Sequence, residues 1–347
     1  MSLKERIEAF NILSQLLKSL LNNSASKNEQ EAFNKLLIDT ELHNPWFDRN
    51  NIIFSLTQTA EVLSEIKLNK WLAPYKNKID LKKPSRIAVI LAGNIPLVGF
   101  HDFLCVLMSG HIFIGKLSSQ DTLLLPYISN LLIKINADFK NYIFFKDFLK
   151  GEFDAVIATG SDNTSRYFDY YFSKNAHIFR KNRNSIAVLT GMETDEQLQH
   201  LAMDMCLYYG KGCRSVSKIF IPERYNFDKL ITALSKYKYM LNNSKFFNNY
   251  QYYKAIYTIN NIEFTDSGII LLVKNNSLNA PVSILFYDYY EDIKTVNQYI
   301  INNKAQIQCV VGSLDAVNCI AFGNTQKPEL DEYADGMDTM SFLISEI

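Results

Sequence analysis

Arg86-Ile87-Ala88-Val89-Ile90-Leu91-Ala92-Gly93-Asn94-Ile95-Pro96-Leu97 is a short apolar run that ends in a glycine, an amide and a proline. Such a run, bounded by turn residues, is the pattern of a strand buried on both faces. Pro96 suits a first helical turn, because that position has no hydrogen bond to lose. The spacing therefore predicts a strand over Arg86–Ala92 and a helix over Pro96–Met108. The same alternation continues with a strand from His111 to Lys116, a helix over about 121–135, strands near Tyr142–Phe145 and Asp154–Thr159, and a helix from Asn163 to Phe172. A βαβαβ rhythm of this kind predicts an α/β fold, a parallel Rossmann-like sheet with helices on both faces.

Upstream, Ile7, Phe10, Leu13, Leu16, Leu17 and Leu20 recur at helical spacing, and Phe33, Leu36 and Leu37 open a second amphipathic stretch. Downstream, strands are expected at Ser185–Leu189, Val216–Ile221, Ile269–Val273, Ser283–Tyr287 and Ile307–Val311. Helices are expected up to Tyr209 and over 226–241, 248–258 and 292–302. The resulting division is a helical segment (1–80), a first α/β domain (81–184), a second α/β domain (185–318) and a C-terminal arm (319–347). Within the arm, Phe342–Ile344 reads as an edge strand.

A chain of 347 residues suits two α/β lobes. Lys+Arg and Asp+Glu balance at 36 each, so no net field draws nucleic acid or anionic lipid. The first residues alternate charged and apolar side chains without a signal-peptide core, and no apolar run is long enough for a membrane span. Five cysteines without regular spacing argue against a disulfide framework, so a cytoplasmic protein is expected. His43, His101, His111, His177 and His200 are scattered, and no metal site is expected.

Four positions carry chemistry with two readings each. Cys213, in Gly210-Lys211-Gly212-Cys213-Arg214, is a nucleophile in a glycine-flanked turn or a structural thiol; Lys211 and Arg214 favour its thiolate. Cys105, Cys206, Cys309 and Cys319 lie on apolar faces or in apolar runs and read as structural, buried thiols. Asn94 is a turn residue or an oxyanion donor. Lys116 is a solvated strand terminus or, at the carboxyl end of a parallel strand, a ribose or phosphate ligand. Gly160-Ser161 is a helix cap or a phosphate cradle. No Gly-x-Gly-x-x-Gly fingerprint is present.

In order along the chain, these pieces resemble the aldehyde dehydrogenase superfamily. Ile90-Leu91-Ala92-Gly93-Asn94-Ile95-Pro96-Leu97, Gly115-Lys116-Leu117-Ser118-Ser119-Gln120, Ala158-Thr159-Gly160-Ser161 and Gly210-Lys211-Gly212-Cys213 carry the likeness, with Ala280-Pro281 and Phe322-Gly323 as later landmarks. Asn94 to Phe103, Ser165-Arg166-Tyr167-Phe168, Arg180 to Ser185 and Tyr333 to Asp338 narrow it to the long-chain acyl-CoA reductase family, the type known from bacterial luminescence, over roughly 43–347. The resemblance implies that Cys213 accepts the acyl group, Asn94 stabilises the oxyanion, and Lys116 and Ser161 contact a nicotinamide cofactor through ribose and pyrophosphate. It also implies reduction of an acyl-CoA or acyl-protein thioester to an aldehyde, and a homo-oligomer paired through a terminal strand such as Phe342–Ile344.

Two departures from the oxidising enzymes matter. The segment Ile178–Ser185 lacks their deacylating glutamate, so hydrolysis of an acyl-cysteine should be slow. Ser119 replaces an acid that would repel a 2′-phosphate, so NADPH is expected, with NADH an alternative. The later glutamate of the superfamily is also missing near Ser277–Pro281.

Overall fold

The computed structural model describes the chain apart from residues 80–82, 150–152, 161–167, 169, 170, 173 and 313–318. The chain divides into two units, one of Met1–Lys181 with Glu329–Ile347 and one of Asn182–Pro328.

The first unit begins with helices α1 (Leu3–Leu21), α2 (Lys27–His43), α3 (Arg49–Val62), α4 (Glu65–Leu72) and the single turn α5 (Lys76–Ile79). Reciprocal capping boxes, Ser2 with Glu5 and Ser26 with Glu29, start the first two by satisfying backbone N–H groups that have no helical partner. Phe10, Leu13, Leu17 and Leu37 are buried, so the apolar stripes face one core. The sheet then forms from β1 (Arg86–Ile90), β2 (Ile112–Lys116), β3 (Ile143–Phe145), β4 (Ala155–Thr159) and β5 (Ala176–Arg180), with α6 (Phe100–Met108) and α7 (Leu124–Ile135) between strands. Its order is β3-β2-β1-β4-β5, with every pairing parallel. Ile87, Ala88 and Val89 are fully buried, as a central strand covered on both faces requires.

The second unit contains β6 (Asn184–Val188), α8 (Asp195–Cys206), β7 (Val216–Pro222), α9 (Asp228–Leu234), α10 (Ser244–Ile259), β8 (Thr265–Asp266), β9 (Leu271–Lys274), β10 (Ile284–Tyr290), α11 (Ile293–Asn302) and β11 (Ile307–Val311). The sheet order is β11-β6-β7-β10-β9-β8, parallel except for the β8–β9 pair. Among the described residues no helix is long and apolar enough to cross a membrane.

Three expectations are corrected. The helix predicted from Pro96 begins at Phe100, because Leu97 adopts a left-handed conformation (φ 58°) and gives its N–H to Asp121 Oδ2 at 3.0 Å. The helix expected to run through Tyr209 ends at Cys206, because Tyr208 and Tyr209 are also left-handed. Phe342–Ile344 is no edge strand. It lies in α12 (Thr339–Ser345), capped by Asp338 and buried along its apolar residues, so it presents no strand for pairing. Strand β5 was not foreseen, since Ala176–Arg180 mixes charged and apolar residues without clear alternation.

A buried ion pair fixes how α12 returns to this unit. Arg180, at the end of β5, pairs with Asp102 on α6 and donates from NH2 to Thr339 Oγ1 at 2.7 Å. The two side chains are 5% and 8% exposed, and Arg180 Nε and Asp102 Oδ1 have no hydrogen-bond partner among the described residues. Burial weakens the guanidinium's hold on its proton, but the Asp102 carboxylate more than offsets this and raises its pKa. Removing one partner strands a buried charge. Asp102→Asn is expected to cost about 3–5 kcal/mol in urea unfolding, whereas Asp102→Leu combined with Arg180→Met should cost much less. Equal losses in both variants would contradict a desolvated pair.

Candidate functional site

In the first unit the strand ends collect four of the sequence-predicted residues on one edge. Asn94 is half-buried just beyond β1, Lys116 is the last residue of β2 in register with Ile90, and Gly160 follows β4. Strands β2, β1 and β4 are neighbours, and the chain leaves β1 on one side and re-enters at β4 on the other. The carboxyl edge at such a reversal is where open α/β sheets bind ligands. Ser119 is exposed in the loop after β2. The Gly160 N–H donates to Arg180 O at 3.3 Å. Ser161 lies outside the described residues.

Close contacts pin the two loops on this edge. A Cβ on Gly93 would come within 2.6 Å of Ser118 Oγ, so only glycine lets the β1 loop lie against the β2 loop. Asp121 accepts from Leu97 N at 3.0 Å and from Leu124 N at 3.4 Å, tying both loops to the start of α7. Burial raises the Asp121 pKa, and these two N–H groups only partly oppose it. From the helical segment, Ser55 Oγ donates to Pro96 O at 2.8 Å, His43 Nε2 to Ser119 O at 2.8 Å, and Asn44 Nδ2 to Gln120 O at 3.1 Å. Sequence reasoning missed all four of these positioning residues. Only Asp121, in a polar Gln120-Asp121-Thr122 cluster before a helix, gives a local signal; the others act across 41 or more residues.

Cys213 belongs to the second unit, in the turn before β7. Tyr208, Tyr209 and Gly210 are left-handed in succession (φ 54°, 58° and 70°), a costly backbone for two aromatic residues. Surrounding contacts hold it: Tyr209 is 5% exposed with its ring 5.6 Å from that of Phe246, and a Cβ on Gly210 would sit 3.1 Å from Met205 O. Past the thiol, Ser185 Oγ donates to Cys213 O at 2.9 Å, Arg214 Nε to Thr325 O at 2.5 Å, and Gln326 Nε2 to Ser215 Oγ at 3.2 Å. Asp204 on α8 receives Gly323 N at 2.7 Å and Thr325 Oγ1 at 2.8 Å, which fixes the segment that Arg214 reaches.

The result is an exposed thiol in a constrained loop. Cys105, Cys206 and Cys309 are buried and Cys319 is half-buried, so the structural reading of Cys319 as a core thiol is corrected to a partly accessible one. Burial pushes the Cys105 and Cys206 thiols far above their ordinary pKa. Beside Cys213, burial lowers the Lys211 ammonium to about 8, with Lys245 adding repulsion.

A family model for acyl-CoA reductase (LuxC) matches residues 8–246. Among solved structures, aldehyde dehydrogenase 21 from Physcomitrella patens, in complex with the reaction product succinate, is 11% identical over 99% of this chain and 85% of its own, with a TM-score of 0.70. The NAD+ complex of an aldehyde dehydrogenase from Bacillus cereus is 14% identical over 86% of this chain and 69% of its own, with a TM-score of 0.60. No curated protein matches the sequence. The fold is therefore that of the aldehyde dehydrogenases, and the class is an oxidoreductase of aldehyde or acyl groups. The chain belongs to the acyl-CoA reductase (LuxC) family.

Two outcomes follow from the loop. Brief treatment with iodoacetamide at pH 8 should carbamidomethylate Cys213 first and leave Cys105, Cys206 and Cys309 unmodified until unfolding, as read by peptide mass spectrometry. Prior modification of Cys206 would contradict the burial pattern. For Lys211, the folded pKa of about 8 lies below the unfolded value of 10.5, so the unfolded chain binds more protons between these limits. Its protonation penalty is complete below pH 8 and is relieved as pH rises toward 10.5. Lys211→Met should remove a rise in unfolding stability across that window; an unchanged wild-type slope would contradict the assignment.

Proposed function

We propose that the chain reduces an acyl-CoA or acyl-protein thioester to an aldehyde with NADPH, NADH being the alternative reductant, through an acyl group carried on Cys213. The observation that carries this reading is the exposed Cys213 thiol in its strained loop, in a chain of the acyl-CoA reductase family. The first unit is the cofactor lobe in this reading and the second the thiol lobe.

The Cys213 sulfur attacks the thioester carbonyl, and the Asn94 amide donates to the oxygen as it gains charge. The carrier thiol departs with the proton that Cys213 gave up, leaving an acyl-cysteine. Lys116, Ser119, Gly160 and Ser161 hold the cofactor: an ammonium, a hydroxyl and the glycine that follows β4, on one sheet edge, suit an anionic dinucleotide with ribose hydroxyls. When bound, the reduced nicotinamide supplies a hydride to the acyl carbon. Loss of aldehyde then breaks the carbon–sulfur bond and leaves the Cys213 thiolate, which a proton from solvent returns to the thiol. The NAD+ complex of the aldehyde dehydrogenase from Bacillus cereus supports a nicotinamide cofactor here.

Hydrolysis has little support from the chain itself. The segment Ile178–Ser185 carries no carboxylate, and Arg180 within it is committed to Asp102. Without a general base, water is a poor competitor for the acyl-cysteine.

The test is steady-state oxidation of NADPH and NADH with acyl-CoA substrates of graded chain length. Cys213→Ala should abolish turnover, and Asn94→Ala should lower kcat about 10²–10³-fold, the usual loss for one oxyanion donor. Retained thioester reduction in Cys213→Ala, or acid as the main product, would overturn the reading.

A further inference from the structure

The helical segment that precedes the sheet touches the candidate cofactor edge at its most discriminating point. His43 is the last residue of α2, and its exposed ring donates from Nε2 to the Ser119 carbonyl at 2.8 Å, with Thr122 Oγ1 3.4 Å away. Because a carbonyl only accepts, the imidazole must carry a proton on Nε2. The next residue, Asn44, is 5% exposed and donates to the Gln120 carbonyl at 3.1 Å, while its own Oδ1 accepts from Trp46 N at 3.1 Å. Two successive peptide carbonyls of the β2–α7 loop are thus held from outside by two successive residues of another element. Ser118 Oγ also receives Gln120 N at 3.2 Å, so the loop is closed on its own side as well.

Peptide orientation decides where a side chain stands. A residue with the carbonyls on both sides of its Cα fixed has its Cα–Cβ direction fixed, and Ser119 is such a residue: its own carbonyl is held by His43, and the preceding carbonyl, of Ser118, accepts from Asp121 N at 3.1 Å. Ser119 occupies the place at which a carboxylate would exclude a 2′-phosphate, so its position sets which nicotinamide the edge accepts. We propose that the His43-Asn44 end of α2 is a positioning element for the adenosine end of the cofactor, and that His43, by holding the Ser119 carbonyl, favours NADPH over NADH. This rests on the cofactor reading above. It also gives the helical segment a part in the reaction, since Ser55 on α3 holds the Asn94 loop through Pro96 in the same manner.

The experiment measures dissociation constants of NADPH and NADH by nicotinamide fluorescence for the full chain, for His43→Ala, for His43→Gln and for Ser119→Asp. His43→Gln keeps a donor able to reach a carbonyl. His43→Ala should reduce the NADPH:NADH affinity ratio about tenfold, the scale of one hydrogen bond serving a charged group, with NADH affinity and thermal midpoint little changed. His43→Gln should recover most of that ratio. An unchanged ratio in His43→Ala, or an equal fall in both affinities, overturns the proposal. If Ser119→Asp shifts the ratio while His43→Ala does not, the cofactor reading stands and the positioning role falls. If the wild-type chain binds neither nicotinamide, both fall together.

Discussion

The buried Asp121 carboxylate is the constraint on which the candidate cofactor edge depends. It accepts two backbone N–H groups, one from the loop after β1 and one from the first residue of α7, and so joins two loops that the sheet alone would leave independent. The N–H it takes from Leu97 belongs to a left-handed residue, and that conformation delays α6 until Phe100. Three residues before Leu97 is Asn94. The placement of the proposed oxyanion donor is therefore a consequence of a carboxylate 27 residues further along, aided by a glycine at position 93 that leaves room for Ser118.

Strain and burial recur where chemistry is expected. Left-handed Tyr208 and Tyr209 would relax in a free peptide, and are held here because their rings are buried. The Arg180–Asp102 pair is a parallel case in the other unit: it is buried and ties the end of β5 to α6 and, through Thr339, to α12. Both devices exchange stability for geometry, as functional regions commonly do.

How much of this was legible in the sequence depends on the range of the interaction. The strands Arg86–Ile90, Ile112–Lys116 and Ile307–Val311 announce themselves through runs rich in β-branched and apolar residues, and the first two helices through apolar residues at helical spacing. The ordered motifs around Asn94, Lys116 and Cys213 led to the family that the comparison shows. The misreadings share a cause. Phe342-Leu343-Ile344 has the local composition of a strand, but Asp338 caps a helix there and the surroundings bury every apolar face. Pro96 favours a helix start, yet a tertiary hydrogen bond to Asp121 holds the next residue outside helical geometry. His43, Asn44 and Ser55 could not be foreseen, because nothing local marks a residue whose partner is 41 or more positions away.

The account comes down to covalent chemistry at a single sulfur. Incubating the full chain with an acyl-CoA in the absence of reduced nicotinamide, then digesting under mildly acidic conditions, should yield a peptide containing Cys213 heavier by the mass of the acyl group. Adding NADPH before digestion should discharge that adduct and release an equal amount of aldehyde. An unmodified Cys213 peptide in a preparation that nonetheless turns over the thioester, or an adduct that NADPH leaves in place, would contradict it.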